Sequence, residues 1–287
     1  GPCGPIKDSP YDVECLPAAL SVTHSYLKGD GASDAIAGHA AAFEIIARDV
    51  FDNVLAFGRY AWAVSLSNDQ NSFKVHQLAG SGGGSYKFAY NATRAGTYDL
   101  MVGAPDLGGG VNGSVQVQDS PFTVTVRPGP ISGPKSKIYG PNCPEGEDTW
   151  NEGSGRPVRL WIEARDRFEN QLDVAPSIPA PFTVKVRRRG ASKVVATAVA
   201  KSKDESGMYD VDVTLDDTGD YLVYVTTSLP SAYGGEAGEL EGSPFKLKII
   251  PGPTSAYQST AGGVGLTSPQ VGKLMSIRIQ AKDGSGN

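Results

Sequence analysis

Val117 to Pro130 reads VQDSPFTVTVRPGP, and the rest of the chain is organised around its recurrence. The same pattern stands at Lys7-Asp8-Ser9-Pro10-Tyr11-Asp12-Val13 and at Glu241-Gly242-Ser243-Pro244-Phe245-Lys246-Leu247. Ser9 and Ser120 are 111 residues apart, Ser120 and Ser243 are 123 apart, and each interval is one domain long. A second block recurs independently. Asp49-Val50-Phe51-Asp52-Asn53 returns at Asp166 to Asn170 and at Asp283 to Asn287, at a spacing of 117 both times. Two separate anchors with a common period mark a repeat protein.

The apolar pattern between the anchors has period two, that of strands covered on one face. In the first complete repeat, 18–130, Leu20 to Tyr26 opens, and a Gly/Ala/Ser/Asp-rich connection leads to Phe43, Ile45 and Ala47. Tyr60, Trp62, Val64 and Leu66 share one face of a third strand, and Phe73 to Gln77 forms a fourth. Tyr86 to Tyr90, Gly96 to Val102 and Phe122 to Val126 complete the set. The second repeat, 131–253, follows the same order through Val158 to Ala164, Phe182 to Val186, Val194 to Val199, Tyr209 to Val213, Tyr221 to Val225 and Phe245 to Ile249. Residues 1–17 read as the last strand of a preceding repeat, with Tyr11, Val13 and Cys15 alternating inward. Residues 254–287 read as the first strands of a further one, with Ile277, Ile279 and Ala281 on its second strand.

Seven strands in each repeat and tyrosines 12 residues apart, at 86 and 98 and again at 209 and 221, predict an all-β chain of tandem immunoglobulin-like seven-stranded β-sandwiches. A tyrosine near a strand start buries its ring while its hydroxyl bonds backbone. Pro128-Gly129-Pro130 and Pro251-Gly252-Pro253 are short, stiff connectors, which predicts defined orientations between neighbouring domains.

Composition excludes more than it assigns. A net charge of -5 and a pI near 5.3 oppose nonspecific binding to nucleic acid or to an anionic membrane. No apolar run approaches the roughly 20 residues of a membrane helix, so no membrane insertion is expected within the stretch. Cys3, Cys15 and Cys143 lack metal spacing, and Cys15 holds the position of Val126 and Ile249, which predicts a buried apolar role.

The motifs of catalysis are missing as well. His24, His39 and His76 are scattered, and GxSxG, HExxH and the P-loop do not occur. Gly108 to Gly113 matches GxGxxG but leads into the β-type run Val115 to Val117 rather than a phosphate-binding helix, so it reads as coincidence. Asp204-Glu205 and Asp216-Asp217 read as solvated turns. Arg187-Arg188-Arg189 reads as a guard against edge-to-edge pairing, with an acidic partner as the lesser alternative. Asn91-Ala92-Thr93 and Asn112-Gly113-Ser114 are glycosylation acceptors only in a secreted chain. The expectation is a protein that is no enzyme and takes no cofactor or metal.

Together, the Gly-x-Tyr pair, the SPF opening of the last strand, the Pro-Gly linker and the A-x-D-x-x-x-N block resemble the filamin-type immunoglobulin-like repeat. The resemblance covers 18–253 fully and both ends in part. One departure is a long Gly-rich connection that sets Ser120 18 positions after Val102, and Ser243 18 positions after Val225. The resemblance implies a cytoplasmic, cytoskeleton-associated spacer and scaffold whose partners are other proteins, such as cytoskeletal components or membrane-receptor tails. It also implies that a peptide strand adds between the third and fourth strands. Carried over by position, the candidates are Ala61, Trp62, Ala63, Val64, Phe73 and Val75 in the first repeat and Thr183, Val184, Lys185, Val194, Val195 and Thr197 in the second. Trp161, between Leu160 and Ile162, must point away from their core, to be covered by the chain itself or to anchor a partner. The alternative function is the ectodomain of a cell-surface adhesion or cell-fusion protein built from the same repeats.

Overall fold

The computed structural model describes residues 6–56, 58–79, 83–105, 114–142, 148–173, 181–203, 206–228 and 234–287. The chain divides into two compact units, Gly1–Arg127 and Pro128–Asn287.

In the first unit the strands are β1 Leu20–Lys28, β2 Asp34–Ile36, β3 Ala40–Asp49, β4 Ala63–Ser67, β5 Ser72–Phe73, β6 Val75–Gln77, β7 Ser85–Asn91, β8 Gly96–Pro105, β9 Ser114–Gln116 and β10 Phe122–Arg127. One sheet runs β1-β3-β7-β6, and the facing sheet runs β2-β10-β8-β4-β5 with β9 beside β8. Alternation explains the layers. Phe43, Ile45 and Ala47 of the first sheet meet Leu66, Leu100, Val102 and Val124 of the second, all buried.

The second unit repeats this topology. Its strands are β11 Ile131–Tyr139, β12 Thr149–Gly153, β13 Pro157–Asp166, β14 Phe182–Arg188, β15 Val194–Val199, β16 Lys201–Ser202, β17 Met208–Thr214, β18 Gly219–Thr227, β19 Gly238–Glu239 and β20 Phe245–Ile250. The sheets run β11-β13-β17-β16 and β12-β20-β18-β14-β15, with β19 beside β18. Val158, Leu160, Ile162, Phe182, Val184, Val186, Tyr209, Val223 and Leu247 make one continuous core. Beyond it lie β21 Thr260–Gly262, a short helix α1 Val264–Thr267 and β22 Arg278–Gln280.

Both sandwiches close in the way the SPF stretch dictates. The residue before the serine, Asp119 or Gly242, takes a left-handed backbone (φ 67 and 87), which Asp and Gly tolerate best among residues with and without a side chain. The following Ser-Pro bond is cis in all three copies. The serine hydroxyl then accepts a hydrogen bond from the backbone of the sixth strand, Val102 N to Ser120 Oγ at 3.1 Å and Val225 N to Ser243 Oγ at 3.4 Å.

Four expectations need correction. The short strands β2 and β12 fall in segments read as plain connection, and each pairs parallel with the last strand of its sandwich. The fourth strand of the first repeat is two strands. Phe73 pairs with Leu66 in one sheet, and Val75 pairs with Tyr90 in the other, so the chain changes sheet at Lys74. Residues 11–17 form no strand, and Cys15 is exposed because, among the described residues, no sheet lies beside the segment to cover its alternating face. In the last segment the second strand shrinks to Arg278–Gln280, paired with Thr260–Gly262, and Ile277 and Ile279 remain exposed, since no second sheet packs on them among the described residues.

Candidate interaction surfaces

The Asp-x-x-x-Asn block is where sequence and geometry meet most tightly. Asp49 and Asp166 end strands whose inward residues are apolar, and both keep the inward parity, so each carboxylate is buried at 0% exposure. A buried charge requires donors. Asp49 receives the backbone N–H groups of Phe51 and Asn53, both at 2.9 Å, and the Asn53 side-chain amide at 3.0 Å. Its remaining donor is the backbone N–H of Ala18, at 2.8 Å, next to the connector Pro17.

The other copies repeat the arrangement. Asp166 accepts from Phe168 N, Asn170 N and Asn170 Nδ2 and, at 2.8 Å, from Gly129 N in the Pro-Gly-Pro connector. Asp283 accepts from Ser285 N, Asn287 N and Asn287 Nδ2 and, at 2.8 Å, from Gly252 N. Asp283 also accepts from Ser154 Oγ, which tethers it to the loop after β12, and Asn287 Nδ2 donates to Asp216 O at 2.8 Å. Burial pushes the Asp49 carboxyl upward, but the bond from the Asn53 side chain and those from the Ala18, Asn53 and Phe51 backbone outweigh it and bring it down to about 2. For Asp283 the Ser154 hydroxyl is the largest cause of a carboxyl held well below its usual range.

The block was legible as a locally satisfied turn, and it is one. Its fourth bond, to the connector, was not foreseen. The available signal was parity, because a charged residue on the inward face of a β-strand requires a donor from elsewhere in the chain.

The expected hydroxyl-to-backbone bonds form at Tyr86, Tyr98 and Tyr221 but not at Tyr209, whose buried hydroxyl has no partner among the described residues. Tyr98 OH donates to Arg94 O at 2.9 Å and Tyr221 OH to Asp217 O at 2.8 Å, each four residues back. Tyr86 OH donates to Gly58 O at 3.0 Å and accepts from Tyr60 N at 3.2 Å. Burial pushes the hydroxyls of Tyr90 and Tyr209 up to about 12, helped at Tyr90 by the charge of Asp34.

The candidate binding residues fall into two geometries. In the first sandwich β4 is bonded to β8 along its whole length, but to β5 only through Leu66 and Ser67. The other side of Ala63, Val64 and Ser65 therefore has no strand beside it among the described residues. Ala61 is exposed just ahead of it. The half-buried Trp62 packs edge-on against Tyr86 with centroids 5.8 Å apart. Phe73 lies on β5 against Tyr98, and Val75 lies on β6 in the opposite sheet. A shallow depression lined by Ala63, Ser65, Met101 and Gln116 adjoins the open edge.

In the second sandwich β14 is bonded on both sides, to β18 and to β15. Thr183 faces Val199 and Lys185 faces Thr197 in one ladder, so the third and fourth strands are joined where the resemblance implies a groove. Val184 is in the core at 0% exposure, and the free edge is the far side of β15, which carries Val194, Val195 and Thr197. Trp161 lies half-buried on the outer face of β13, between Tyr139 of β11 and Asp210 of β17. Beside it Tyr139 OH and Arg165 Nε both donate to Glu163, at 2.9 and 2.6 Å.

Arg187 and Arg188 end β14, and Arg188 donates to Thr218 O at 3.1 Å. No cluster of His, Cys, Asp and Glu suited to a metal occurs among the described residues, and no helix there is long and apolar enough to cross a membrane. Cys3, Cys143, Asp204-Glu205, Asn112 and the glycines 108–110 and 113 lie outside the described residues.

No protein-family model matches the sequence, and no curated protein sequence does. Solved structures do. FdeC, an adhesin of Escherichia coli, is similar over 95% of this chain and 77% of its own, at 19% identity and a TM-score of 0.58. The filamin domain of Lin-41 matches 38% of this chain and 98% of its own at 17% identity and a TM-score of 0.32. Invasin, a bacterial integrin-binding protein, matches 85% of this chain and 42% of its own at 13% identity and a TM-score of 0.43. The likeness to FdeC supports what the topology shows, a chain built of immunoglobulin-like β-sandwich repeats.

Proposed function

We propose that the chain is a non-enzymatic spacer and protein-binding scaffold in the extracellular part of a cell-surface adhesion protein. Its repeats would be 18–130 and 131–253, flanked at 1–17 by a segment that carries the sequence pattern of a repeat's last strand and at 254–287 by the first strands of another repeat. The observation that carries the spacer reading is the buried carboxylate that binds a connector N–H in each of three copies, at Ala18, Gly129 and Gly252. A chain that must hold its modules at fixed angles benefits from connectors bonded to a module rather than to water. The fold-level likeness to an adhesin over nearly the whole chain favours a surface setting over the cytoskeletal one implied by the filamin resemblance.

Partner proteins would add a strand at the open edge beside Ala61 to Ser65 or along the far side of β15, with Trp161 as an anchor on the opposite sheet of the second sandwich. An antibody against residues 18–253, applied to the cells that make the protein, tests the setting. Labelling of intact cells is the expected result. Labelling only after permeabilisation, together with co-sedimentation with actin filaments, would restore the cytoskeletal reading.

A further inference from the structure

The two sandwiches have the same sheet lattice and different outer faces. In the second, β18 lies between β14 and β20, and the outward residues of the flanking strands are Lys185 and Arg187 on one side and Lys246 and Lys248 on the other. Register aligns them, since Arg187 stands opposite Leu222 and Leu222 opposite Lys246. With strands about 4.8 Å apart and alternate residues about 7 Å apart, Arg187 and Lys246 face each other roughly 10 Å apart across Leu222, while Lys185 stands one step along the strands beside Tyr224 and Lys248 one step the other way beside Asp220, so the four cations run obliquely across the face. Leu222 lies at the centre of this row, with Tyr224 and Asp220 on either side of it along β18. The Arg187 guanidinium lies over the Tyr224 ring at 4.8 Å, which holds its planar fork in place.

The equivalent positions in the first sandwich are Ser65, Ser67, Thr123 and Thr125, all neutral, and the place of Leu222 is taken by Asp99. Because the first sandwich forms the same lattice without them, the fold does not require these cations. Nor are they neutralised internally. Lys185, Arg187 and Lys248 make no ion pair among the described residues, and Lys246 pairs only with the exposed Asp148, at 2.7 Å. That surface pair is weak enough for a competing anion to displace. The other acids on this face are Asp220, opposite Lys248, and Glu239, opposite Thr226 at the far end.

We infer that this face binds a sulfated polysaccharide. Strands β14, β18 and β20 are each hydrogen-bonded on both sides, so the face offers side-chain charge and no free backbone. An acidic peptide would bring amide groups that nothing here could pair. A sulfated glycan carries its anions outward along a linear chain, and a positioned guanidinium and three ammonium groups suit sulfate oxygens. The inference rests on an extracellular setting, where such polymers occur, but the binding itself is independent of where the chain resides.

The test is titration of the 287-residue chain with heparin at low and at physiological salt, beside neutral dextran, polyglutamate and single-stranded DNA of similar length. Saturable heparin binding that weakens with salt is expected, with no dextran binding. The variant Lys185→Ser/Arg187→Ser/Lys246→Thr/Lys248→Thr carries the first sandwich's own residues and should melt like the parent while binding heparin about tenfold more weakly or worse. Retained affinity in that variant, or no heparin binding by the parent at low salt, would overturn the assignment. Equal affinity for polyglutamate or DNA would also overturn it, as a nonselective anion surface. None of these results bears on the antibody experiment, so the two readings fail separately.

Discussion

Asp166 is a full charge with 0% exposure, stable only because four N–H groups converge on it. Removing the carboxylate strands three backbone donors in the interior, each at a cost of about 1–3 kcal/mol. Asp166→Ala should therefore destabilise the second unit by about 3 kcal/mol or more, read from the midpoint of denaturant unfolding. Asp49 makes the same point through pH. Its carboxyl titrates near 2 when folded, below the ordinary value of 3.8, so the stability it contributes is fully present above about pH 4 and lost as the pH falls through 2. Compared with Asp49→Asn, the parent should be the more stable at pH 6, and the gap should narrow steadily between pH 4 and pH 2. A gap that stayed constant over that range would rule out the linkage.

At the level of the strands, the tyrosine corners tie the sixth strand of each sandwich to the turn before it. Each buries a ring and makes one backbone bond, so Tyr98→Phe and Tyr221→Phe should each cost about 1 kcal/mol in thermal or denaturant unfolding while leaving the fold intact. These corners were legible because a tyrosine at fixed spacing near a strand start has few other uses. The long alternating strands β3, β13, β14 and β18 were legible for the same kind of reason, that period two over many residues admits one reading. What escaped were elements set by distant partners. Asp34–Ile36 has no period of its own and becomes a strand only because Thr125 to Arg127 lies beside it. Phe73 and Val75 read as one strand, since nothing local shows that they bond to different sheets. Cys15 misled in the opposite direction. Its pattern matched a buried strand, but burial belongs to a sheet rather than to a pattern. The binding candidates met the same limit. The resemblance placed them on the third and fourth strands, and only the ladders separate an open edge at Ala63 to Ser65 from a closed one at Thr183 to Lys185.

Over the whole chain, two sandwiches of one topology carry different surfaces, and they differ in one internal dimension as well. The last strand of each pairs parallel with a short strand near its start, over three residues in the first, from Asp34 to Ile36, and over five in the second, from Thr149 to Gly153. When the chain is stretched from its ends, neighbouring parallel strands are dragged in opposite directions along their length, so their hydrogen bonds are loaded together rather than one after another. The longer ladder shares the load among more bonds. In single-molecule pulling of the chain, the sandwich with the shorter contour gain, Leu20 to Arg127, should rupture at the lower force, and the sandwich from Ile131 to Ile250 should follow at the higher. Rupture in the reverse order would show that some other contact bears the load. A tether built this way would yield in stages, lengthening by one module before the next is at risk.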